Sequence, residues 1–402
     1  MAKKRKKVKR NYRRLKKMIV GFIVLFIIGN VVFFNWDRIS LWKKGYTNEQ
    51  CKIILNLSQE EIDEYLGQDK IDMNRWDEYS NGHHYYDYEL YEQANPDLSD
   101  MTIIKNVDRL YEVYEELINL GFTRDFCREH YADYAIEDFE VFANNQIDYD
   151  TAKKYLKVNG VVIEDMPKYV NSGMSATKAV MKYSYGFIDA SKKCDYIYEV
   201  NPENSLFTIV NDRFELKEDY KPDDLVKAEV EKSSECKSSK LVEEAAYSLE
   251  DMVNDAKDED LNIILDKAYI SYGYQEQEYN ECVNYYGLWT VENVLQLSKP
   301  GCDEHQLATT VNLTCQSAID GEEDFEDSDE YKWLKKHAHE YGFIFRYPSN
   351  KSDITGKEGI SNQFRYVGVD AASEIKEDSL CLEEYVLRHG LDYTMKIIED
   401  AG

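Results

Sequence analysis

The sequence is poor in basic residues outside its first 17 positions. Of the 49 Lys and Arg residues in the 402-residue chain, eleven fall within residues 1–17, which contain no acidic residue. The other 385 residues carry 38 basic side chains against 77 acidic ones, a formal net charge near −39. Because an acidic surface repels the phosphates of nucleic acid, this deficit excludes a nucleic-acid partner for the main part of the chain.

Small residues are missing at the point where a cleavable signal peptide would need them. The apolar run MIVGFIVLFIIGNVVFF, residues 18–34, is followed by bulky and charged residues from Trp36 to Arg38. A helix of this length rises about 26 Å, close to the ~30 Å hydrocarbon core of a bilayer. The sequence therefore predicts an uncleaved transmembrane signal anchor over residues 18–35.

The charge around this anchor predicts its orientation. Residues 1–17, MAKKRKKVKRNYRRLKK, form a basic tail that the positive-inside rule holds in the cytoplasm, so that residues 36–402 face outward from a single-pass membrane protein. Disulfides persist outside the cell, and all eight cysteines lie in that outward part. Spacing alone does not assign their partners, but Cys302 and Cys315 bracket a histidine-containing segment and are the first candidate pair.

The outward part divides into three regions by sequence pattern. Residues 36–215 are predicted to be mainly helical, with Ser58 and Glu61 placed as a capping box at one helix start. Residues 216–240 are charged and serine-rich without apolar periodicity, which is typical of a linker or a covering loop. Residues 241–402 alternate short apolar strands with amphipathic helices, which predicts an α+β domain with a C-terminal antiparallel sheet and flanking helices.

Several stretches of the C-terminal region carry a family resemblance. The segments WLKKHAHEYGFIFRYPSNKSDITG (333–356) and FRYVGVDAASEI (364–375) are its most specific parts. With them, the run from about 240 to 390 resembles the VanY-type D-alanyl-D-alanine carboxypeptidases of the M15 zinc peptidase family. The resemblance implies a hedgehog/D,D-peptidase-like fold and a peptidoglycan substrate at the surface of a Gram-positive bacterium.

The resemblance also implies a zinc site. Members of the family bind one zinc through the His and the Asp of a motif like S-x-H-x-x-G-x-A-x-D and through the His of E-x-x-H, whose Glu is the general base. Three protein ligands leave the fourth position for water, whose pKa the metal lowers. An Arg in a preceding S-G-Y-R motif is expected to hold the terminal carboxylate of the substrate.

Most of these functional positions are substituted here. In CDEHQLATTVN (302–312) the histidine is kept as His305, whereas Asp303 stands at the serine position and Asn312 at the aspartate position. An ungapped alignment of the later motif places Ile360 at the general base and Gln363 at the second histidine. The sequence therefore retains one of the three metal ligands that the resemblance implies.

The substrate-binding arginine is replaced as well. Near YGY, residues 272–274, its position falls on Gln275, or on Tyr274 in the adjacent register, and no arginine lies nearby. The resemblance thus makes Gln275, Tyr274 and Asp303 the candidate substrate-binding residues.

These substitutions predict a catalytically inactive member of the family without a resident cofactor. Two neutral amides are poor zinc ligands, and Ile360 cannot accept a proton. An alternative zinc site is open, because Cys302 lies three residues before His305 and Cys315 lies three residues after Asn312.

Three functions remain compatible with the sequence. The first is a membrane-anchored pseudoenzyme that binds peptidoglycan stem peptide or a membrane or wall protein. The second is a divergent zinc D,D-carboxypeptidase that trims stem peptides through substitute ligands. The third is an inert spacer domain, with the function in the helical region or in the basic tail, which could bind anionic lipid.

Overall fold

The structure is a computed structural model that describes residues 18, 36–78, 82–187, 196–200, 202, 206–291, 295, 297–391 and 395–400. Within those ranges no helix is both long enough and apolar enough to cross a bilayer. The predicted basic tail 1–17, and the predicted anchor 18–35 apart from Met18, lie outside the described residues. The chain divides into two compact units, Met1–Tyr149 and Asp150–Gly402.

The described part of the first unit is helical. Its helices are α1 (Trp36–Lys44), α2 (Asn48–Ile54), α3 (Gln59–Gly67), α4 (Met73–Asp77), α5 (Tyr85–Ala94), α6 (Asp100–Asn119), α7 (Arg124–Glu129) and α8 (Ile136–Asn144). At the start of α3 the Ser58 hydroxyl accepts the N–H of Glu61, and the Glu61 carboxylate accepts the N–H of Ser58. The predicted capping box is therefore confirmed.

A buried carboxylate links three helices of the first unit. Asp87 on α5 is 3% exposed and accepts hydrogen bonds from the hydroxyl of Tyr111 at 2.5 Å and from Nε of Arg128 at 2.6 Å. Arg128, on α7, also bonds Glu64 of α3 at 2.5 Å. Because each charged side chain of the cluster has a hydrogen-bonding partner, the cost of burying these charges inside the helical unit is offset.

The second unit starts with helices and then forms a small sheet. Its described helices before residue 200 are α9 (Tyr149–Tyr155), whose first residue is the last residue of the first unit, α10 (Met166–Asn171) and α11 (Ala176–Tyr183). Strand β1 (Tyr196–Val200) then pairs in parallel with β2 (Phe214–Glu215). On its other side, β1 pairs antiparallel with the strand Met395–Asp400 near the end of the chain.

The region predicted as a linker or covering loop, residues 216–240, contains a strand and buried residues. Strand β3 (Leu225–Lys227) pairs antiparallel with β4 (Lys240–Val242). Ala228 and Cys236 are buried in the same hydrophobic core as the main sheet. The segment is therefore packed onto the domain that it precedes.

The main sheet is antiparallel and confirms the predicted α+β architecture. Its strands are β5 (Ile264–Lys267), β6 (Thr310–Thr314), β7 (Phe343–Tyr347) and β8 (Ile360–Tyr366), in the order β5-β6-β8-β7; the strand Met395–Asp400 becomes β9. The helices around them are α12 (Glu243–Asp258), α13 (Tyr272–Tyr286), α14 (Leu288–Thr290), α15 (Gln316–Ile319), α16 (Asp329–His337), α17 (Ser352–Thr355), α18 (Val369–Glu377) and α19 (Leu382–Arg388).

The two faces of the main sheet differ in polarity. One face contributes Leu265, Val311, Leu313, Phe343 and Phe364 to a hydrophobic core, in which it meets Leu249, Met252 and Ala256 of α12. Residues that alternate with these along the strands point to the other face. There Asn312 lies opposite Gln363, and Thr310 lies opposite Arg365. The polar face carries the candidate site.

Candidate active site

A short helical turn positions the retained histidine. Residues Glu304–Leu307 form a 3-10 turn that Asp303 caps, since its Oδ1 accepts the N–H of His305 at 2.9 Å. The turn ends at Ala308, which is buried and has a left-handed backbone with φ of +57°. This conformation, at the glycine position of the family motif, turns the chain into β6 and places His305 over the polar face.

The structure brings together the three residues aligned with the metal ligands. His305 is 2% exposed, and its Nε2 lies 3.1 Å from Oδ1 of Asn312 on β6. Asn312 is the register partner of Gln363 on β8, which is 9% exposed. Directly opposite residues of an antiparallel pair point to the same face. One imidazole and two carboxamides therefore share this place on the sheet.

A carboxylate, itself paired with a lysine, contacts the other nitrogen of the imidazole. Oδ1 of Asp303 lies 2.6 Å from Nδ1 of His305, and its Oδ2 lies 2.9 Å from Nζ of Lys267 on β5. Burial alone would raise the pKa of Asp303, but the neighbouring His305 and Lys267 outweigh it and hold that pKa well below its usual range. Asp303 is thus an ionised, fully engaged carboxylate.

The zinc ion that the family resemblance implies does not fit this donor set. Zinc in proteins is bound by imidazole, thiolate and carboxylate groups, whereas two of the three donors here are the neutral amides of Asn312 and Gln363. The nearby Asp303 is already bonded to His305 and Lys267. In the part of the chain that the structure describes, no group of three His, Cys, Asp or Glu side chains is placed to hold a metal ion.

The predicted Cys302–Cys315 disulfide is wrong, because both residues are free thiols. Asn312 lies against His305, but three further residues of extended chain carry Cys315 about 10 Å beyond it. A disulfide needs Cα atoms within about 7 Å of each other. Cys302 is buried, which raises the pKa of its thiol. The two cysteines therefore do not join His305 in one site.

The general-base position faces a different space. Ile360 begins β8 opposite Tyr347 and lines a cavity of about 370 Å³ beside the edge strand β7. The lining of this cavity includes Ile360 but none of the residues at the metal-ligand positions. A branched hydrocarbon side chain at this point offers no group that could activate water.

The two residues aligned with the substrate-binding arginine have local roles. Gln275, in the first turn of α13, is 4% exposed, and its Oε1 accepts the N–H of Gly301 at 2.9 Å. This bond fixes the turn that leads into Asp303. The hydroxyl of Tyr274 donates to Glu278 one helical turn later at 3.1 Å, so Tyr274 lies on the outer side of the helix.

A buried network of ion pairs, which sequence reasoning missed, fixes the turn that carries the site. Glu304, Arg346, Arg365 and Glu383 are each at most 2% exposed. Arg346 on β7 bonds Glu304 at 2.8 Å and Glu383 on α19 at 2.7 Å, and Arg365 on β8 bonds Glu304 at 2.9 Å. Two cations thus balance two anions without solvent.

This network determines where the histidine lies. Glu304 stands between Asp303 and His305 in the chain, so the bonds to two neighbouring strands fix the turn that carries both residues. The arginines occur inside the otherwise apolar strands FIFRY and QFRY. An arginine within a buried strand is the signal that could have revealed the network, because it requires a buried partner.

Sequence comparisons place these features among known proteins. The family model described as VanY, D-alanyl-D-alanine carboxypeptidase, matches residues 238–369. A putative carboxypeptidase, YodJ of Bacillus subtilis strain 168, is 36% identical over 198 residues, which cover 48% of this chain and 71% of that protein. A D-alanyl-D-alanine carboxypeptidase of Enterococcus faecalis is 38% identical over 87 residues, 22% of this chain and 31% of that protein.

Two solved structures are also similar. The LdcB LD-carboxypeptidase is 31% identical with a TM-score of 0.43, covering 50% of this chain and 98% of the other. A variant of the vancomycin-resistance D,D-pentapeptidase VanY, solved in complex with Zn(II), is 26% identical with a TM-score of 0.36, covering 46% of this chain and 99% of the other.

Proposed function

Because the chain belongs to the VanY family of D-alanyl-D-alanine carboxypeptidases, we propose that residues 241–402 bind the peptidoglycan stem peptide without cleaving it efficiently. The observation that carries the proposal is the environment of His305. Its Nδ1 faces Asp303 at 2.6 Å and its Nε2 faces Asn312 at 3.1 Å. Both ring nitrogens are therefore engaged by the protein, at the position where a metal ligand must leave one nitrogen available.

The polar face is suited to hold a peptide. Carboxamides supply both hydrogen-bond donors and acceptors, so Asn312 and Gln363 match the N–H and C=O groups of an extended peptide. The enterococcal relatives are named D-alanyl-D-alanine carboxypeptidases, which supports a peptide ending in D-Ala-D-Ala as the ligand class. Recognition of this kind requires no metal.

The same residues argue against efficient hydrolysis. Loss of general acid–base catalysis alone costs about 100-fold to 10,000-fold in rate, and Ile360 stands at that position. The amides of Asn312 and Gln363 also leave a metal dication without the charge compensation that a carboxylate provides. The two deficits act on the same step, the attack of an activated water on the scissile carbonyl.

We also propose that this binding module is displayed outside the cell membrane by the anchor 18–35, with the basic tail 1–17 in the cytoplasm. The support is the sequence pattern, in which eleven basic residues precede an apolar run of spanning length. In intact cells, a membrane-impermeant biotin reagent is expected to label lysines of residues 36–402 but not the lysines of the tail. Labelling of the tail in intact cells contradicts the orientation.

Two measurements on the purified full-length chain test the binding function. Calorimetric titration with a stem pentapeptide is expected to show binding, which the exchange Asn312→Leu weakens by about tenfold or more because it leaves peptide groups unpaired. The exchange Asn254→Leu on the exposed side of α12 is the matched control and leaves binding unchanged. If the unmodified chain binds zinc stoichiometrically and releases D-alanine, the proposal is wrong and the divergent carboxypeptidase is favoured.

A further inference from the structure

The C-terminal end of α13 and the adjoining α14 carry exposed aromatic and apolar side chains, which we call the aromatic platform (Tyr285, Tyr286, Leu288 and Trp289). The exposed fractions of these side chains are 81%, 52%, 51% and 70%. The rings of Tyr285 and Tyr286 lie 4.5 Å apart at 76°, edge to face. Four large apolar side chains within five residues exceed the scattered exposure of an ordinary surface and are typical of an interaction site.

Helix α13 extends from the platform to the segment that precedes the candidate site. Residues eleven apart on a helix lie within about 20° of each other and about 16 Å apart, so Tyr274 and Tyr285 share one face. The intervening position on that face is Glu278, which accepts the hydroxyl of Tyr274 at 3.1 Å. At its N-terminal end the same helix holds Gly301 through Gln275, beside the segment that carries His305. One rigid helix therefore connects the two surfaces.

The negative charge of α13 indicates which class of ligand the aromatic platform can bind. Its exposed residues include Glu276, Glu278 and Glu281, and α13 contains no basic residue. This acidity repels anionic polymers and anionic lipid headgroups. Aromatic faces beside carboxylates and amides instead suit a neutral, hydroxyl-rich ligand, because rings cover its C–H faces and carboxylates accept its hydroxyl protons. A neutral glycan has this chemistry.

We propose that the aromatic platform binds the glycan strand of peptidoglycan while the polar face of the sheet holds the stem peptide attached to that strand. The inference rests on the proposed function. The platform adds affinity for the polymer that carries the peptide.

Binding of a peptide-free oligomer of N-acetylglucosamine to the full-length chain tests this inference directly. Fluorescence anisotropy of the labelled oligomer is expected to show binding that Trp289→Ala and Tyr285→Ala each weaken by about tenfold, because each removes a stacking surface. The matched control is Tyr247→Ala on α12, since Tyr247 is 54% exposed and lies outside the platform. This control leaves glycan binding unchanged.

Three outcomes overturn the inference, and each is separable from failure of the proposed function. No binding of the oligomer, or equal binding by Trp289→Ala and the unmodified chain, removes the glycan role. A dimer that Trp289→Ala converts to a monomer in light scattering, with glycan binding unchanged, assigns the platform to self-association. Titration with a glycan-free stem peptide reports the proposed function alone, so that peptide binding without glycan binding leaves the proposed function standing.

Discussion

At the scale of single residues, His305 aligns with a metal ligand of the family motif, and both of its ring nitrogens lie within hydrogen-bonding distance of protein oxygens. In a zinc site one ring nitrogen binds the metal and the other bonds a carboxylate or a carbonyl that orients the ring. Asp303 fulfils the orienting role at Nδ1, while Asn312 occupies Nε2. The orientation of the imidazole is therefore preserved although the ligand set is not.

The substitutions at this site are expected to be reversible by mutation. The double exchange Asn312→Asp and Gln363→His supplies a carboxylate and a second imidazole beside His305, because the register already places these positions together. We expect zinc affinity to rise by at least about 100-fold over the unmodified chain, measured by competition with a chromogenic chelator.

Zinc binding alone does not restore hydrolysis. Adding Ile360→Glu to the double variant supplies a carboxylate at the aligned general-base position, but Ile360 lines a cavity that contains none of the metal-ligand positions, so D-alanine release is expected to stay undetectable. The matched control, Asn254→Asp with Gln316→His, makes the same chemical changes at exposed positions and gains neither zinc nor activity. If the site double variant binds zinc no better than this control, the alignment of ligand positions is wrong.

The sequence located these residues but not all their partners. His305, Asn312 and Gln363 were found through motifs, and the strand register brings them together. Lys267 gave no signal, because a lysine at the end of a strand is normally a solvated charge, and only the folded sheet places it 2.9 Å from Asp303. The disulfide prediction failed for the same reason, since spacing along the chain does not measure distance in space.

At the scale of elements, the buried network of Glu304, Arg346, Arg365 and Glu383 ties the histidine turn to two strands and a helix. The exchange Arg346→Met leaves two carboxylates buried with one cation. We expect the free energy of unfolding to fall by about 3–5 kcal/mol, measured by urea denaturation.

An exposed arginine serves as the control for that measurement. Arg388 on α19 pairs with Glu374 and Asp378 but is 43% exposed, so Arg388→Met is expected to cost less than about 1 kcal/mol. Equal losses for Arg346→Met and Arg388→Met would show that the buried network contributes no more than a surface pair.

The first unit contains a comparable cluster. In Arg128→Met, the carboxylates of Asp87 and Glu64 lose their cation while Asp87 stays buried. We expect a loss of about 3 kcal/mol or more in the unfolding of the helical unit, followed by circular dichroism. Arg128→Lys keeps the charge without the fork geometry and is expected to recover part of that loss; full loss in Arg128→Lys would mean that geometry, not charge, holds the cluster.

Elements with strong local patterns were predictable. Strands β6 and β7 and helices α12, α16 and α18 follow apolar periodicities that indicate their type without tertiary context. Strands β1 and β9 were missed, because β9 pairs with β1 nearly 200 residues earlier in the chain. Pairing over such a separation has no local signature, and a short strand is stable only through its partner.

At the scale of the whole molecule, the charge imbalance has a measurable effect. The chain carries a formal net charge of −28, and like charges oppose a compact state. Raising NaCl from about 0.02 M to about 0.5 M shortens the screening length to a few ångströms. We expect the melting temperature to rise by about 2–4 °C, measured by differential scanning fluorimetry.

Charge neutralisation provides a control for the salt effect. Replacing exposed glutamates of α13 by glutamine reduces the net charge and is expected to reduce the response to NaCl. A melting temperature that falls with NaCl would mean that favourable surface ion pairs outweigh the net repulsion.

The buried network of Glu304, Arg346, Arg365 and Glu383 has a consequence for the life of the protein in a cell. The turn that carries His305 is held by charges that the chain itself supplies. Under the proposed metal-free function, new copies of the protein made during zinc starvation are expected to fold to the same shape and to bind the proposed ligand unchanged.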